Sequence, residues 1–173
     1  MVKYLSWILI FAAVFSGCSN PNTALIESAP MIAVSFQDDL GREISLRSSP
    51  LKIISLSPAV TEIFFALGAE DRLIARSQIC DYPAEALDLP SVQSYPIMDL
   101  KEIAELKPDL VITSSDVHES SITRYFDGLK YPLFYLSSKS IGETYGNITA
   151  IGKLTDHVAQ ATHLIDSLKT IEK

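Results

Sequence analysis

From residue 32 to residue 168 the chain alternates short apolar runs with longer stretches whose apolar residues recur at helical spacing. Ile32 to Phe36 and Glu43 to Leu46 flank Asp38-Asp39-Leu40-Gly41, a segment with turn chemistry, and the three together predict a small hairpin. Lys52 to Leu56 is a compact β-branched run of the kind a strand buried on both faces requires. Leu73 to Ala75, Leu110 to Thr113 and Leu133 to Leu136 read as three further strands. Helices fall between them. Ser57 can cap a helix, Pro58 suits its first turn, where a missing N–H costs nothing, and Gly68 fits its stop, so Ala59 to Leu67 is the first helix. Asp99 and Glu102 have the spacing of an N-terminal cap, and the helix they open must end before Pro108. Another runs from Ser120 to about Gly128. Ser140 and Glu143 repeat the cap spacing for a helix reaching Lys153, and after Thr155-Asp156 a last helix carries Val158, Ala161, Ile165 and Leu168 on one face.

Strands that alternate with helices predict βαβ crossovers and an α/β fold, a mostly parallel sheet flanked by helices. Ligands of such sheets sit beyond the carboxyl ends of the strands. The loops that matter are therefore Ser57-Pro58-Ala59, Arg76 to Asp81 and Ser114 to His118.

The first residues follow a different pattern. A single early cation, Lys3, precedes an apolar run from Leu5 to Phe15, which ends in Phe15-Ser16-Gly17-Cys18. A basic start, a short apolar core and small residues at the end describe a secretory signal. The run falls short of the roughly 20 apolar residues that a membrane-spanning helix needs. Its end resembles the bacterial lipobox, with Phe15 where Leu is usual, which implies a lipid on Cys18 and an exported chain held on a bacterial membrane, facing the periplasm or the cell exterior. The polar, Pro-containing stretch after Cys18 suits a tether. With Cys18 acylated, Cys80 has no partner for a disulfide. Fourteen Lys and Arg stand against 21 Asp and Glu, a formal net charge of −7, with no basic cluster, and this argues against a nucleic-acid partner.

Four stretches, in order, carry a resemblance: Asp38-Asp39-Leu40-Gly41-Arg42-Glu43, Lys52 through Glu62, Cys80-Asp81-Tyr82-Pro83 and Leu106-Lys107-Pro108-Asp109-Leu110-Val111. Together they resemble the periplasmic-binding-protein family for iron chelates and vitamin B12. The resemblance implies two α/β lobes joined by a long helix, a ligand held between them, and delivery to an ABC transporter permease. The expected organisation is a signal over 1–17, a tether over 18–30, an N-terminal lobe over 31–155, and the start of the inter-lobe helix over 156–173, with the second lobe absent. On that expectation Val158, Ala161, Ile165 and Leu168 partly lose their cover, and an exposed apolar stripe favours self-association.

The resemblance also nominates site residues. Tyr95 matches an aromatic position facing the ligand in the vitamin B12 branch, and its alternative role is packing on Pro96. Gln78, Ile79 and Cys80 match the second cleft loop, although Cys80 also reads as a small residue closing a turn. Pro58 lies in the first loop, and Ser114, Ser115 and His118 lie in the third, where His118 reads either as an axial ligand to iron or cobalt or as a solvated loop residue. The family docks on its permease through an exposed Glu; Lys101 occupies that place here and Glu102 follows it, so Glu102 is either a docking residue or a first-turn acid favoured by the helix dipole. The ligand expected is a corrinoid, with a ferric siderophore or haem as the alternative. No resident cofactor is expected and no catalytic residue is assigned, because three scattered His and one free Cys do not make a nucleophile with its base. An interaction lobe without a small ligand is the remaining class.

Overall fold

A computed structural model describes residues 34–172. The signal-like run, Cys18 and the tether lie outside the described residues. The hairpin forms as expected, from β1 (Val34–Gln37) paired antiparallel with β2 (Glu43–Leu46). Five strands follow: β3 (Ile53–Ser55), β4 (Leu73–Ser77), β5 (Ser91–Val92), β6 (Leu110–Ser114) and β7 (Leu133–Leu136). They make one parallel sheet in the order β5-β4-β3-β6-β7.

Each face of the sheet carries helices, because strands this apolar cannot leave a face to water. Side chains alternate between the faces. Ile53, Leu110, Ile112, Phe134 and Leu136 meet Val60, Phe64 and Leu67 of α1 (Pro58–Leu67) and Ile148, Ile151 and Leu154 of α4 (Ile141–Leu154). Ile54, Val111, Leu133 and Tyr135 point the other way, onto Ile103 of α2 (Leu100–Glu105) and Ile122 and Phe126 of α3 (Ser120–Leu129).

Local chemistry sets the helix ends. The Asp99 and Ser140 side chains accept the backbone N–H of Glu102 at 2.9 Å and of Glu143 at 3.2 Å. Gly68 ends α1 in the left-handed region, at φ 70°. Ser57 departs from expectation. It precedes α1, but its side chain caps nothing; its carbonyl instead accepts from the Thr61 backbone N–H at 3.0 Å and the Thr61 hydroxyl at 3.1 Å.

The hairpin turn covers the outer edge of β7. Asp39 N–H donates to the Tyr135 carbonyl at 3.0 Å, and Ser137 N–H donates to the Asp39 carboxylate at 2.6 Å. The buried Asp38 carboxylate accepts from Leu40 and Arg42 N–H and from the Arg42 guanidinium, at 2.7 to 3.1 Å. Arg42 also donates to the Leu133 carbonyl. An exposed turn is thereby converted into the seal of an edge strand.

The last helix, α5 (Val158–Ile171), carries a partly covered apolar stripe. Its apolar stripe does not stand open: Ala161 is buried, and Ile165 and Leu168 pack against the α1/α4 layer, leaving Val158 exposed. Gly152 allows this close approach. A methyl group on Gly152 would stand 2.6 Å from the Ala161 Cβ and 3.1 Å from the His157 carbonyl oxygen, whereas one on Gly146 of the same helix would meet nothing within 4 Å. Gly152→Ala should therefore lower stability by about 1–3 kcal/mol through overpacking. Gly146→Ala should raise it by about 0.5–1 kcal/mol by removing backbone freedom from the unfolded chain. Urea unfolding of the two variants checks this; equal shifts would show that α4 and α5 are not in close contact.

Candidate functional site

All five strands of the sheet run the same way, so their carboxyl ends bring the loops after β4, β5, β6 and β7 to one end of the molecule. These loops carry large apolar side chains in the open. Ile79 and Tyr82 follow β4, Tyr95 and Ile97 follow β5, and Val117 follows β6; Tyr95 is 62% exposed and Ile97 73%. Side chains of this size left uncovered in neighbouring loops mark an interaction surface. Tyr95 stands between two hollows. One is lined by Gln78, Val92, Gln93 and Glu102. The other, a groove of about 620 Å³, is lined by Ile97, Met98, Val117, His118 and Ile122.

The Tyr95 loop is fastened at its base. The Gln78 side-chain oxygen accepts from Ser94 N–H at 2.7 Å, and its amide nitrogen donates to the Tyr95 carbonyl at 2.6 Å. Ser77 and Ser94 share a hydroxyl–hydroxyl bond. Gln93 N–H donates to the Glu102 carboxylate at 2.9 Å, Asp99 N–H donates to the Gln93 carbonyl at 2.9 Å, and the Gln93 amide reaches the Ile97 carbonyl at 3.2 Å. Tyr95 and Ile97 are presented on a loop tied down by these bonds. An apolar ligand surface would meet them without first ordering them.

The other wall is built from the ends of β6 and β7. Ser114 Oγ accepts from Asp116 N–H at 3.2 Å and so caps a 3₁₀ turn, Ser115–Val117. Asp116 pairs with Lys139, after β7, at 2.9 Å. The hydrogen bond to Lys139 holds the Asp116 carboxyl below the usual carboxylate range, and Asp116 raises the Lys139 ammonium in return. Both groups lie open to water, so the pair ties two loops together and adds little to stability. The His118 and Tyr135 rings make a T-shaped pair, at 77° with centroids 5.1 Å apart. Tyr135 is held in turn: its hydroxyl bonds Thr123 at 3.2 Å, and the Arg42 guanidinium lies 4.8 Å from its ring. Burial pushes the Tyr135 phenol up.

The nominated residues divide accordingly. Tyr95 and His118 share the groove, and Ile79 is open on the neighbouring loop. Gln78 lies on the rim, but both ends of its amide are occupied by the Tyr95 loop. Pro58 is half-buried in the first turn of α1, and Ser115 is half-buried in the 3₁₀ turn. Ser114 spends its hydroxyl on capping. Cys80 is fully buried beneath its loop, and burial raises its thiol pKa above the ordinary value, so it is inert packing and not a group on the cleft surface. Glu102 is exposed but holds Gln93 in place. Arg76, the cation of the second loop, is buried and donates to the Ala86 carbonyl at 2.7 Å and the Ser77 carbonyl at 3.1 Å. Ile97, Tyr82, Val117 and the Asp116–Lys139 pair were missed; the apolar residues Ile97 and Met98 placed among Pro and Asp were the available signal for the first. Among the described residues, no set of His, Cys, Asp and Glu side chains is grouped so as to hold a metal ion.

A doubly covered parallel sheet of this kind has the fold of one lobe of a bilobal binding protein, and the sequence comparison places it in a family. A family model described as periplasmic binding protein matches residues 53–171, and the chain belongs to that family. It is 28% identical over 174 residues to the uncharacterized ABC transporter substrate-binding lipoprotein YvrC of Bacillus subtilis, covering 94% of this chain and 54% of that protein. It is 33% identical over 114 residues to the vitamin B12-binding protein of Vibrio vulnificus, covering 65% of this chain and 42% of that protein. The crystal structure of the periplasmic vitamin B12 binding protein BtuF of Vibrio cholerae matches with a TM-score of 0.61 at 30% identity, over 69% of this chain and 48% of that one. The chain spans about half the length of the curated relatives it matches.

The geometry makes Gln78 a positioning residue. Gln78→Ala should cost about 1 kcal/mol of stability and should speed amide exchange at Ser94 while leaving exchange in β3 and β6 close to wild type. Native-state hydrogen exchange reads this, and unchanged protection at Ser94 would show that the loop is held without Gln78.

Proposed function

We propose that the chain forms the N-terminal wall of an exported substrate-binding lipoprotein that captures a metal chelate, in the first place a corrinoid, and passes it to an ABC transporter permease. The observation that carries the reading is the exposed Tyr95 ring, set between two hollows on a loop already ordered by Gln78, Gln93 and Glu102. A flat ring of this kind offers area to the face or edge of a macrocycle at small entropic cost. The names of the Vibrio relatives support the same ligand.

Charge supports a corrinoid over an anionic chelate. The polar groups around the rim include Asp81, Asp99, Asp116 and Glu119. The nearby cations are spoken for, Arg76 by backbone carbonyls and Lys139 by Asp116. A ferric siderophore with several negative charges, or the propionates of haem, would find few partners here.

Transfer to a permease requires a surface for it. Glu102 is exposed at the start of α2, beside the Tyr95 loop it braces, and docking would ask the same carboxylate to serve both partners. The lipid on Cys18 would keep the loaded protein near the membrane; the lipoprotein name of the Bacillus relative supports this part of the reading.

Two measurements test the proposal. In a two-lobed protein that carries this chain as its N-terminal lobe, equilibrium dialysis should show retention of cyanocobalamin, which the chain alone should capture weakly or not at all, and Tyr95→Ala should weaken retention by about 1 kcal/mol or more, roughly a factor of five or greater. Undiminished retention would remove Tyr95 from the site, and retention of haem or a ferric siderophore in place of cyanocobalamin would move the reading to that chelate. In a producing bacterium, Cys18→Ser should shift the protein from the membrane to the soluble fraction; a wild-type chain with no acyl mass on Cys18 would defeat the anchor.

A further inference from the structure

We infer that the end of the sheet opposite the groove is a lipid-contact surface: the exposed cations Arg47, Lys52, Lys107 and Lys130, with Leu51 and Leu129 among them, rest on the anionic headgroups of a bilayer and leave the groove facing away from it. The inference rests on the exported-lipoprotein part of the reading above and adds to it the face of the lobe that meets the membrane.

The sheet assembles this surface from residues far apart in sequence. β3, β6 and β7 start side by side, with Ile53 opposite Leu110 and Val111 opposite Leu133, so the residues just before each strand converge. Lys52 precedes β3, Lys107 precedes β6, Lys130 precedes β7, and Arg47 follows β2. Arg47, Leu51 and Lys130 line one hollow of about 510 Å³. Asp109 is the acid in its lining, and its carboxylate accepts the Leu51 and Lys52 N–H groups, both at 3.0 Å. Of the acids nearby, Glu105 pairs with Lys101 at 3.7 Å, Asp71 lies 3.9 Å from Arg72, and Asp127 is exposed on the last turn of α3. The four cations therefore meet the carboxylates of Asp109 and Asp127, a positive surplus on a chain whose formal net charge is −7. The groove end has the opposite sign, with Asp81, Asp99, Asp116 and Glu119.

Two observations name a bilayer as the occupant. The first is this charge pattern. An anionic surface attracts the cations and repels the acids at the groove end, so it turns the lobe as well as holding it. Leu51 is 61% exposed and Leu129 44%, and apolar side chains among cations add burial at the headgroup boundary. The second is the place where the chain enters the lobe. Val34, where the described residues begin, pairs with Leu46, and Leu46 lines the same hollow. The chain that leads back to Cys18 therefore joins the lobe at the rim of this surface. A lipid on Cys18 makes the contact intramolecular, where a weak attraction is enough. Weakness suits the role, because a lobe that hands its ligand to a permease has to turn its groove toward the membrane and so has to leave this surface.

The test floats the 173-residue chain, made unacylated by Cys18→Ser, with two kinds of vesicle. One is phosphatidylcholine alone, and the other an about two-to-one mixture of phosphatidylcholine and phosphatidylglycerol. The chain should favour the anionic vesicles at low salt and lose that preference at about 0.5 M salt. Lys3 and the apolar run behind it are common to every variant, so differences between variants report the lobe. Arg47→Glu combined with Lys130→Glu should lower the anionic-over-neutral partition ratio by about tenfold or more. Arg124→Glu combined with Lys169→Glu makes the same change in net charge at exposed positions of α3 and α5, and should lower the ratio far less. Equal losses in the two double variants, or no anionic preference in the starting chain, overturn the inference. Self-association without vesicles, read by sedimentation and abolished by Arg47→Glu with Lys130→Glu, in place of flotation, assigns the surface to the acidic groove end of a second copy and also overturns it. An anionic preference in a chain whose Cys18 carries no acyl mass in the producing bacterium defeats the anchor and leaves the surface contact standing. Acyl mass on Cys18 with no anionic preference sinks this inference alone.

Discussion

Five short parallel strands that are apolar on both faces must be covered on both faces, and this constraint organises the molecule. Helices fill the two layers, so every strand leaves the sheet through a loop at the same end, and those loops need only be polar enough to stay in water. In this chain they are not: Ile79, Tyr82, Tyr95, Ile97 and Val117 remain exposed there. The sheet supplies a rigid edge, and the loops convert that edge into a wall for something else to lean on.

The two sides of the wall are braced by different means. On the β4/β5 side, the Gln78 amide bonds the next loop through both its oxygen and its nitrogen, and the first-turn acid of α2 makes a further tie. On the β6/β7 side, the bracing reaches back to the hairpin: Asp38 orients Arg42, Arg42 lies against Tyr135, and Tyr135 sets the ring of His118. A motif that looks like simple turn chemistry in the sequence is therefore the far end of a contact chain that ends in the groove.

Much of this was legible beforehand. Leu133 to Leu136 forms a strand as read, and the caps at Asp99 and Ser140 form as their spacing predicts, because strand apolarity and cap chemistry are local properties. β5 was not foreseen: with two residues, Ser91–Val92, it has no period to detect and exists because β4 offers it a partner. The loop bonds of Gln78 and Ser114 and the burial of Cys80 were not legible for a related reason. Position in a loop beyond a strand end was readable, but the direction of each side chain, toward the ligand space or back into the loop, depends on partners sixteen or more residues distant for Gln78 and on burial for Cys80. The stripe on α5 was legible, whereas the close approach of α4 that Gly152 allows was not, because it depends on which residue of α5 comes to face that glycine.

The ends of the sheet have a consequence for how such molecules behave in a crowd. Unpaired strand edges are templates on which a second copy of a chain can add its own strand. Here one edge is β5, too short to offer a useful template, and the other is β7, whose outward Tyr135 carbonyl and Ser137 N–H are already bonded to Asp39. Copies of this lobe that meet at high concentration therefore do so with neither end of the five-stranded sheet open for polymerisation.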